Sequence, residues 1–323
     1  MIINTHSHFS TDANSSFFYP NFTLDKLIED MDQNNIPYAI TCLNPKLLSL
    51  LCPNDCSTTC PIHGKHNHLD TCSPSCTHAN IHWMKIFDST TVGELEAHCL
   101  VCNEEIYKGI DPCHSYNIEF IRQCSAFKGR IFPLLYLHLA NSTLNMEASF
   151  FEQNFSGQFI GYKFHPQTDM RSLDEITNFN SSLPILIHTG LRYVDNSKSA
   201  LNFAKHYKGN VILAHACRLE TDVLKELKYY PNVFVDLSPS CTLFNTKDYT
   251  LSPTVSPSIS TAEDIYKIVL DYVPIDKVLF GSDVPWGNTN EELALAFSLK
   301  LSASEKEKIM FTNAITAYQL NIT

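Results

Sequence analysis

Residues 184–216 read PILIHTG-LRYVDNSKSALNFAKHYKGN-VILAHA. Two short apolar runs, Pro184 to His188 and Val211 to His215, flank a polar stretch from Ser197 to Tyr207 whose apolar residues recur at helical spacing. The runs are apolar along their length, as strands buried on both faces of a parallel sheet must be. Strand, helix, strand is a βαβ unit, because parallel neighbours can be joined only by a crossover. Both runs end in a histidine.

Working outward, the same rhythm recurs. Further candidate strands are Met1 to Thr5, Tyr38 to Leu43, Ile131 to Leu137, Phe159 to Phe164, Val233 to Leu237 and Lys277 to Phe280. Helical patterns lie at Thr23 to Asn34, Tyr116 to Phe127, Glu220 to Tyr229, Thr261 to Tyr272, Asn290 to Leu299 and Ser304 to Leu320. Eight strands, each followed by a helix, predict an α/β fold, a (β/α)8 TIM barrel in preference to an open doubly wound sheet. Residues 44–112 break the rhythm. They hold no clean βα unit and are rich in Cys, His, Pro, Asn, Ser and Thr. The chain therefore reads as one barrel domain, 1–323, with a long Cys/His-rich insertion after the second strand, where active-face loops emerge.

The composition narrows the function. At 323 residues, with 44% hydrophobic and 18% charged, the chain has material for a large core. Its formal net charge of -11 argues against a surface that tracks nucleic-acid phosphates. No stretch approaches the roughly 20 apolar residues needed to cross a bilayer, and the start lacks a basic region followed by an apolar one. The expectation is a cytoplasmic protein with a small-molecule substrate and neither nucleic acid nor membrane as partner. A homo-oligomer is compatible with it.

The ionisable residues fall in a pattern. The first strand runs into His6-Ser7-His8, whose imidazoles, two apart on a strand, share a face and can reach one ion. Lys163 in Gly-Tyr-Lys-Phe-His-Pro ends the fourth strand, His188 the fifth and His215 the sixth, while Asp283 in Leu-Phe-Gly-Ser-Asp-Val-Pro-Trp follows the eighth. The C-terminal strand ends of a barrel converge on its active face. Any one of these residues reads equally well as a core histidine or a capping aspartate; five strand ends together read as a metal site.

These residues carry a resemblance. His6-Ser7-His8, His188, His215 and Gly281-Ser282-Asp283 with Pro285, together with Thr312-Asn313-Ala314 near the end, resemble the metal-dependent amidohydrolase superfamily, in particular its amidohydrolase-related branch. The resemblance covers roughly 1–42 and 116–323. It implies that His6, His8, His188 and Asp283 hold a divalent ion, most often Zn2+, and that His215 binds a second ion or acts on the substrate. Lys163 stands where binuclear members carry a carbamylated lysine, and its setting is similar to the Lys-Leu-Tyr-Pro run of dihydroorotases; many single-metal relatives keep a plain lysine there. One or two ions are therefore implied. The chain departs from the family in having Asn4 where Asp often precedes the first metal histidine, and in the cysteine-rich insertion.

Physical chemistry says what such a site does. Zinc bound by three neutral histidines and a carboxylate lowers the pKa of bound water from 15.7 towards about 7. Asp283 can take the proton of the attacking water and return it to the leaving group, while His215 polarises the substrate carbonyl. The expected catalytic residues are thus Asp283, His215 and Lys163. Arg192, four residues after His188, is a candidate partner for a substrate carboxylate; a solvated loop arginine is the competing reading. His165 and Trp286 sit beside ligand positions as candidate substrate contacts, against plain packing.

Within the insertion, Cys52, Cys56 and Cys60 run at three-residue gaps, then Cys72 and Cys76 repeat the gap, followed by His78, with His63, His66 and His68 between. This spacing is a candidate structural zinc site, set against disulfides, an iron–sulfur cluster or free thiols. Cys99, Cys102, Cys113 and His114 are candidates for a second site or a share in the first. Projecting from the active face, the insertion is expected to form a lid or one wall of the pocket. Cys217 and Cys241 read as small buried hydrophobes.

Three functions follow. The leading one is metal-dependent hydrolysis of an amide, cyclic amide or lactone. The second is non-oxidative decarboxylation of an unsaturated or aromatic carboxylate, because the same branch contains zinc decarboxylases. The third is a non-catalytic metal-binding scaffold.

Overall fold

The computed structural model of the chain describes residues 1–11, 22–43, 59–60, 64–65, 84–87, 91–99, 104–139, 142–169 and 171–322. Eight parallel strands form one sheet in chain order: β1 (Ile3–Phe9), β2 (Tyr38–Leu43), β3 (Ile131–Tyr136), β4 (Gly161–Phe164), β5 (Ile185–Ile187), β6 (Val211–Leu213), β7 (Val233–Asp236) and β8 (Val278–Leu279). The sheet closes on itself past β8. The Thr5 amide donates to the Phe280 carbonyl at 3.1 Å, the His8 amide to Val284 at 2.8 Å and the Asp283 amide to His6 at 2.7 Å. The TIM barrel read from the sequence is the fold.

Alternation along each strand divides the core in two. Leu186, Ile212 and Phe234 join Ile3, Ile40, Leu134 and Leu279 in the barrel interior, which Ala314, Ala317 and Tyr318 of the closing helix plug from below. Ile185, Ile187, Val211, Leu213, Val233 and Val235 point outward against the helices. Full burial of each such side chain contributes about 1.5–3 kcal/mol.

The covering helices are α1 (Leu24–Gln33), α2 (Pro112–Cys124), α3 (Leu144–Asn154), α4 (Ser197–His206), α5 (Thr221–Glu226), α6 (Ala262–Tyr272) and α7 (Thr289–Ser298), and a C-terminal run spans Ala303–Glu307, Lys308–Thr312 and Asn313–Tyr318. In α1 the buried residues are Leu24, Leu27 and Met31, one stripe at helical spacing. Asp111 caps α2 by accepting from the Cys113 amide at 2.9 Å, and Pro112 supplies a first-turn residue with no amide to satisfy.

Two features depart from the periodicity. Helix α3 was not among the expected helices, because its inward face, Leu144, Glu147, Ala148 and Phe151, includes a buried glutamate. The fourth strand is followed by no full helix, only the single turns Pro166–Asp169 and Leu173–Glu175. Among the described residues no helix is long and apolar enough to cross a membrane.

Of the insertion, the strands Met84–Phe87, Glu94–Cys99 and Glu105–Ile110 form an antiparallel sheet, and Thr59–Cys60 pairs with Gly64–Lys65. Cys52, Cys56, Cys72, Cys76 and His78 lie outside the described residues, as does Cys102, and only the backbone of Cys60 is described. Cys113 packs in the core, and His114 faces Glu147 of α3 with its Nδ1 2.7 Å from Oε2. Glu147 also accepts from the Gly93 amide and so ties the insertion to the barrel wall. Cys217 is fully buried, as expected of a small hydrophobe; Cys241 is half-buried, and burial pushes its thiol up to about 12.

Candidate active site

The interior-facing positions that follow the last apolar layer carry the polar residues of the site. On β4, Tyr162 and Phe164 face out, so Lys163 faces in, at 1% exposure. On β7 the same count from Phe234 brings Asp236 inward, fully buried. On β1, Ile3 and the two histidines have opposite parity. A register shift between Asn4 and Ser7 in the pairing with β2 reconciles them, so that Ile3, His6 and His8 all face the interior.

His6 sits at the centre. Its Nδ1 lies 2.7 Å from Asp236 Oδ2 and 2.9 Å from Ser238 Oγ, and since the carboxylate only accepts, Nδ1 is the protonated nitrogen. Nε2 is then the outward nitrogen, 3.4 Å from Asp283 Oδ1 and 3.1 Å from Lys163 Nζ. Burial and Lys163 oppose a further proton on His6, but Asp283 and Asp236 outweigh them and hold its pKa up at about 9. The His8 Nε2 meets the same Asp283 oxygen at 3.1 Å. Asp283 is buried, which works against its charge, yet the surrounding imidazoles, His6 first, hold its carboxyl far below the usual range. Its backbone is left-handed, with φ of 55°.

His188 and His215 form a directed pair. His215 Nδ1 is 2.8 Å from the Ser238 carbonyl, so it donates there, and its Nε2 is the acceptor facing His188 Nδ1 at 2.9 Å. His188 Nδ1 therefore donates, and its Nε2 is left as a bare lone pair. That nitrogen is buried, faces Asp195 Oδ2 at 3.9 Å, and has no hydrogen-bond partner among the described residues. Burial first, with neighbouring positive groups, keeps both imidazoles neutral by pushing their pKa values well down. His215 Nδ1 also lies 3.9 Å from Asp283 Oδ2, which links the pair to the first cluster.

Of the six residues expected as ligands, His6, His8, Lys163 and Asp283 are in direct contact, whereas His188 joins them through His215 and turns its Nε2 towards Asp195 Oδ2 at 3.9 Å. Of the expected substrate contacts, His165 stacks on His188 with ring centroids 3.9 Å apart, and Trp286 presents its edge to His8 at 4.8 Å. Arg192 borders the site through its backbone, its amide donating to Asp195 Oδ1 at 2.8 Å.

Other residues of the site were not singled out in the sequence. Asp236 and Ser238 end β7, and the acid at a strand's inner end was a signal open to reading. Arg218 donates to the Thr189 carbonyl at 2.7 Å, turned back by five successive left-handed residues, His215 to Leu219, with φ between 50° and 58°. Non-glycine residues rarely adopt that conformation, so spacing alone does not reveal it. Cys42 of β2 lies beside His8 as its register partner, fully buried.

A family model described as amidohydrolase matches residues 113–320. No curated protein matches the chain. Among solved structures the chain is similar to one from Staphylococcus aureus provisionally assigned as an amidohydrolase, at 14% identity over 99% of each chain with a TM-score of 0.59. It is similar to a 5-carboxyvanillate decarboxylase from Sphingomonas paucimobilis, at 11% identity over 99% of each chain with a TM-score of 0.59. It is also similar to a dihydroxybenzoic acid decarboxylase from a Polaromonas species, solved with manganese and 2-nitroresorcinol, at 12% identity over 98% of this chain and 96% of that one with a TM-score of 0.54. At such identities the shared property is the fold.

Proposed function

The chain belongs to the amidohydrolase family, and from that premise we propose that it is a metal-dependent hydrolase cleaving the C–N or C–O bond of an amide, cyclic amide or lactone in a small acidic molecule. One observation carries the reading: His6 Nε2 and His8 Nε2 both address Asp283 Oδ1, at 3.4 and 3.1 Å, while Asp236 holds the far nitrogen of His6. A buried carboxylate behind a histidine fixes the tautomer and aims the other nitrogen, the arrangement that supports a metal ligand.

These residues fit a divalent ion. The donors are imidazole nitrogens and a carboxylate, and the buried, unpartnered Nε2 of His188 adds a third nitrogen. His6, His8, His188 and Asp283 would hold the ion, and Lys163 is the residue available to a second, since both ring nitrogens of His215 are already engaged. When bound, such an ion supplies Lewis acidity to a water or a substrate oxygen.

The chain's own groups do the rest. Asp283, kept ionised, accepts the proton of the attacking water and returns it to the leaving nitrogen or oxygen. His215, its Nδ1 donating to the Ser238 carbonyl and its Nε2 accepting from His188 Nδ1, orients the His188 ring. Lys163 and Arg218 place cations at the rim of the interior, and with Arg192 they favour an anionic substrate. His165 and Trp286 wall the space.

The second reading, non-oxidative decarboxylation of an unsaturated or aromatic carboxylate, draws on the same enclosed ammonium of Lys163, which a substrate carboxylate would neutralise. A purified-enzyme screen of cyclic amides, lactones and hydroxybenzoates separates the two by product: ring-opened acid or carbon dioxide. Turnover should vanish in His188→Ala under either reading. Turnover that survives this substitution would remove His188 from the machinery, and a wild type that turns over none of these compounds would leave the scaffold as the better account.

A further inference from the structure

We propose that Cys42 is a ligand of the ion held by His6 and His8, which gives the site a sulfur donor and a preference for zinc over manganese; the inference rests on the metal-dependent reading above.

The position follows from pairing. In the parallel ladder of β1 and β2, Cys42 is the register partner of His8, and with Ile40 it faces the barrel interior. Among the described residues, His6, His8 and Cys42 form a group whose ligand atoms all lie within 4.8 Å of one another, and all three are buried. The Cys42 Sγ is 3.7 Å from His8 Nε2. Two donors of one tetrahedral ion, with Zn–S near 2.3 Å and Zn–N near 2.0–2.1 Å, stand about 3.5 Å apart. The observed gap matches that edge.

The competing account is a thiol that merely hydrogen-bonds to the imidazole. Sγ is 3.3 Å from Nδ1 and 3.7 Å from Nε2. A straight bond along the Nδ1 axis would carry Nε2 much farther from the sulfur, so the near-equal distances do not describe one. The other nearby acceptor, the Ser7 carbonyl, is 3.6 Å away, a weak contact for a thiol. Sγ lies somewhat nearer Nδ1 than Nε2, so ligation of an ion on Nε2 requires the Cys42 side chain to turn towards the nitrogen that faces Asp283.

The consequence is selectivity. Imidazole and carboxylate alone accept manganese and zinc alike, whereas a thiolate is a soft donor that suits zinc and is poorly matched to manganese.

Cobalt spectroscopy tests this without an activity assay. Apo full-length protein is titrated with Co2+, reading the visible d–d bands for binding and the near-ultraviolet sulfur-to-cobalt band for thiolate ligation, in wild type, Cys42→Ser and His8→Ala. The expected result is that Cys42→Ser keeps the d–d bands, loses one thiolate's share of the sulfur band, and reduces the zinc-over-manganese affinity ratio at least tenfold. An identical sulfur band in wild type and Cys42→Ser, with d–d bands that His8→Ala removes, overturns the sulfur ligand and leaves the metal centre standing. Cobalt spectra that His8→Ala leaves unchanged overturn the metal centre itself. Should Cys42→Ser fail to fold, cadmium NMR of the wild type decides: a resonance in the single-thiolate range supports the inference, and signals confined to nitrogen–oxygen or many-sulfur environments refute it.

Discussion

Asp236 and His6 are joined at 2.7 Å, carboxylate to Nδ1, with both side chains completely shielded from water. This bond points Nε2 of His6 at Asp283 and Lys163. If it orients a metal ligand, Asp236→Asn should weaken divalent-ion affinity about 10–100-fold while leaving the barrel folded. Calorimetric titration of zinc into apo wild type and variant reads the difference. Equal affinities would mean that His6 is held by packing alone.

Among the described residues, a glutamate of the barrel wall holds the insertion. Glu147 of α3 pairs with His114 and accepts from the Gly93 amide. Glu147→Ala should destabilise the chain by about 1–3 kcal/mol, because it leaves buried donors without a partner. It should also expose the segment around Gly93 to limited proteolysis at concentrations that spare the wild type. The pair adds a pH dependence. The hydrogen bond to Glu147 raises the His114 pKa above 6.5, so its contribution is complete below about 6.5 and is lost as pH rises through the folded value.

Glu292 makes a separate pH prediction. It lies on α7 and accepts from the amides of Ser240 at 3.1 Å and Cys241 at 2.8 Å, but burial outweighs those bonds and pushes it up to about 8. An unfolded glutamate titrates near 4.3, so between about 4.3 and 8 the folded chain holds a proton that the unfolded chain releases. Stability should fall as pH rises through this window. In Glu292→Gln the fall should be shallower, as read from thermal midpoints at mildly acidic and mildly alkaline pH. Parallel slopes in the two proteins would contradict the assignment.

Gly190 offers a steric test. A Cβ there would stand 2.0 Å from Asp195 Oδ2, and Asp195 in turn receives the amides of Gly190 and Arg192 in the loop after His188. Gly190→Ala should displace that loop and reduce turnover at least tenfold with the barrel still folded, whereas Gly157→Ala, which meets no atom within 4 Å, should leave turnover unchanged and cost only the strain of its positive φ. Equal turnover in wild type and Gly190→Ala would show that the loop after His188 does not shape the site.

The parallel sheet was legible because β5, β6 and β7 are apolar on both faces, and eight such strands in succession pointed to a closed barrel over an open sheet. The candidate ligands were legible for the same reason: Lys163, His188, His215 and Asp283 fall at or just past the ends of strands. What stayed hidden depends on three dimensions. Cys42 is joined to His8 by register, and the inward turn of both His6 and His8 depends on a shift in pairing that composition does not encode. Arg218 reaches its place through a left-handed turn. Helix α3 escaped notice because Glu147 interrupts its apolar stripe, and that glutamate is the residue that clasps the insertion.

The central claim is that His6, His8, His188 and Asp283 hold a divalent ion that the activity needs. Elemental analysis of wild type and His8→Ala, purified without chelator, tests it directly. The account predicts at least one equivalent of divalent metal in the wild type that is missing from His8→Ala, with the circular dichroism of the two proteins unchanged. The same metal content in both would place any bound ion elsewhere and contradict the account.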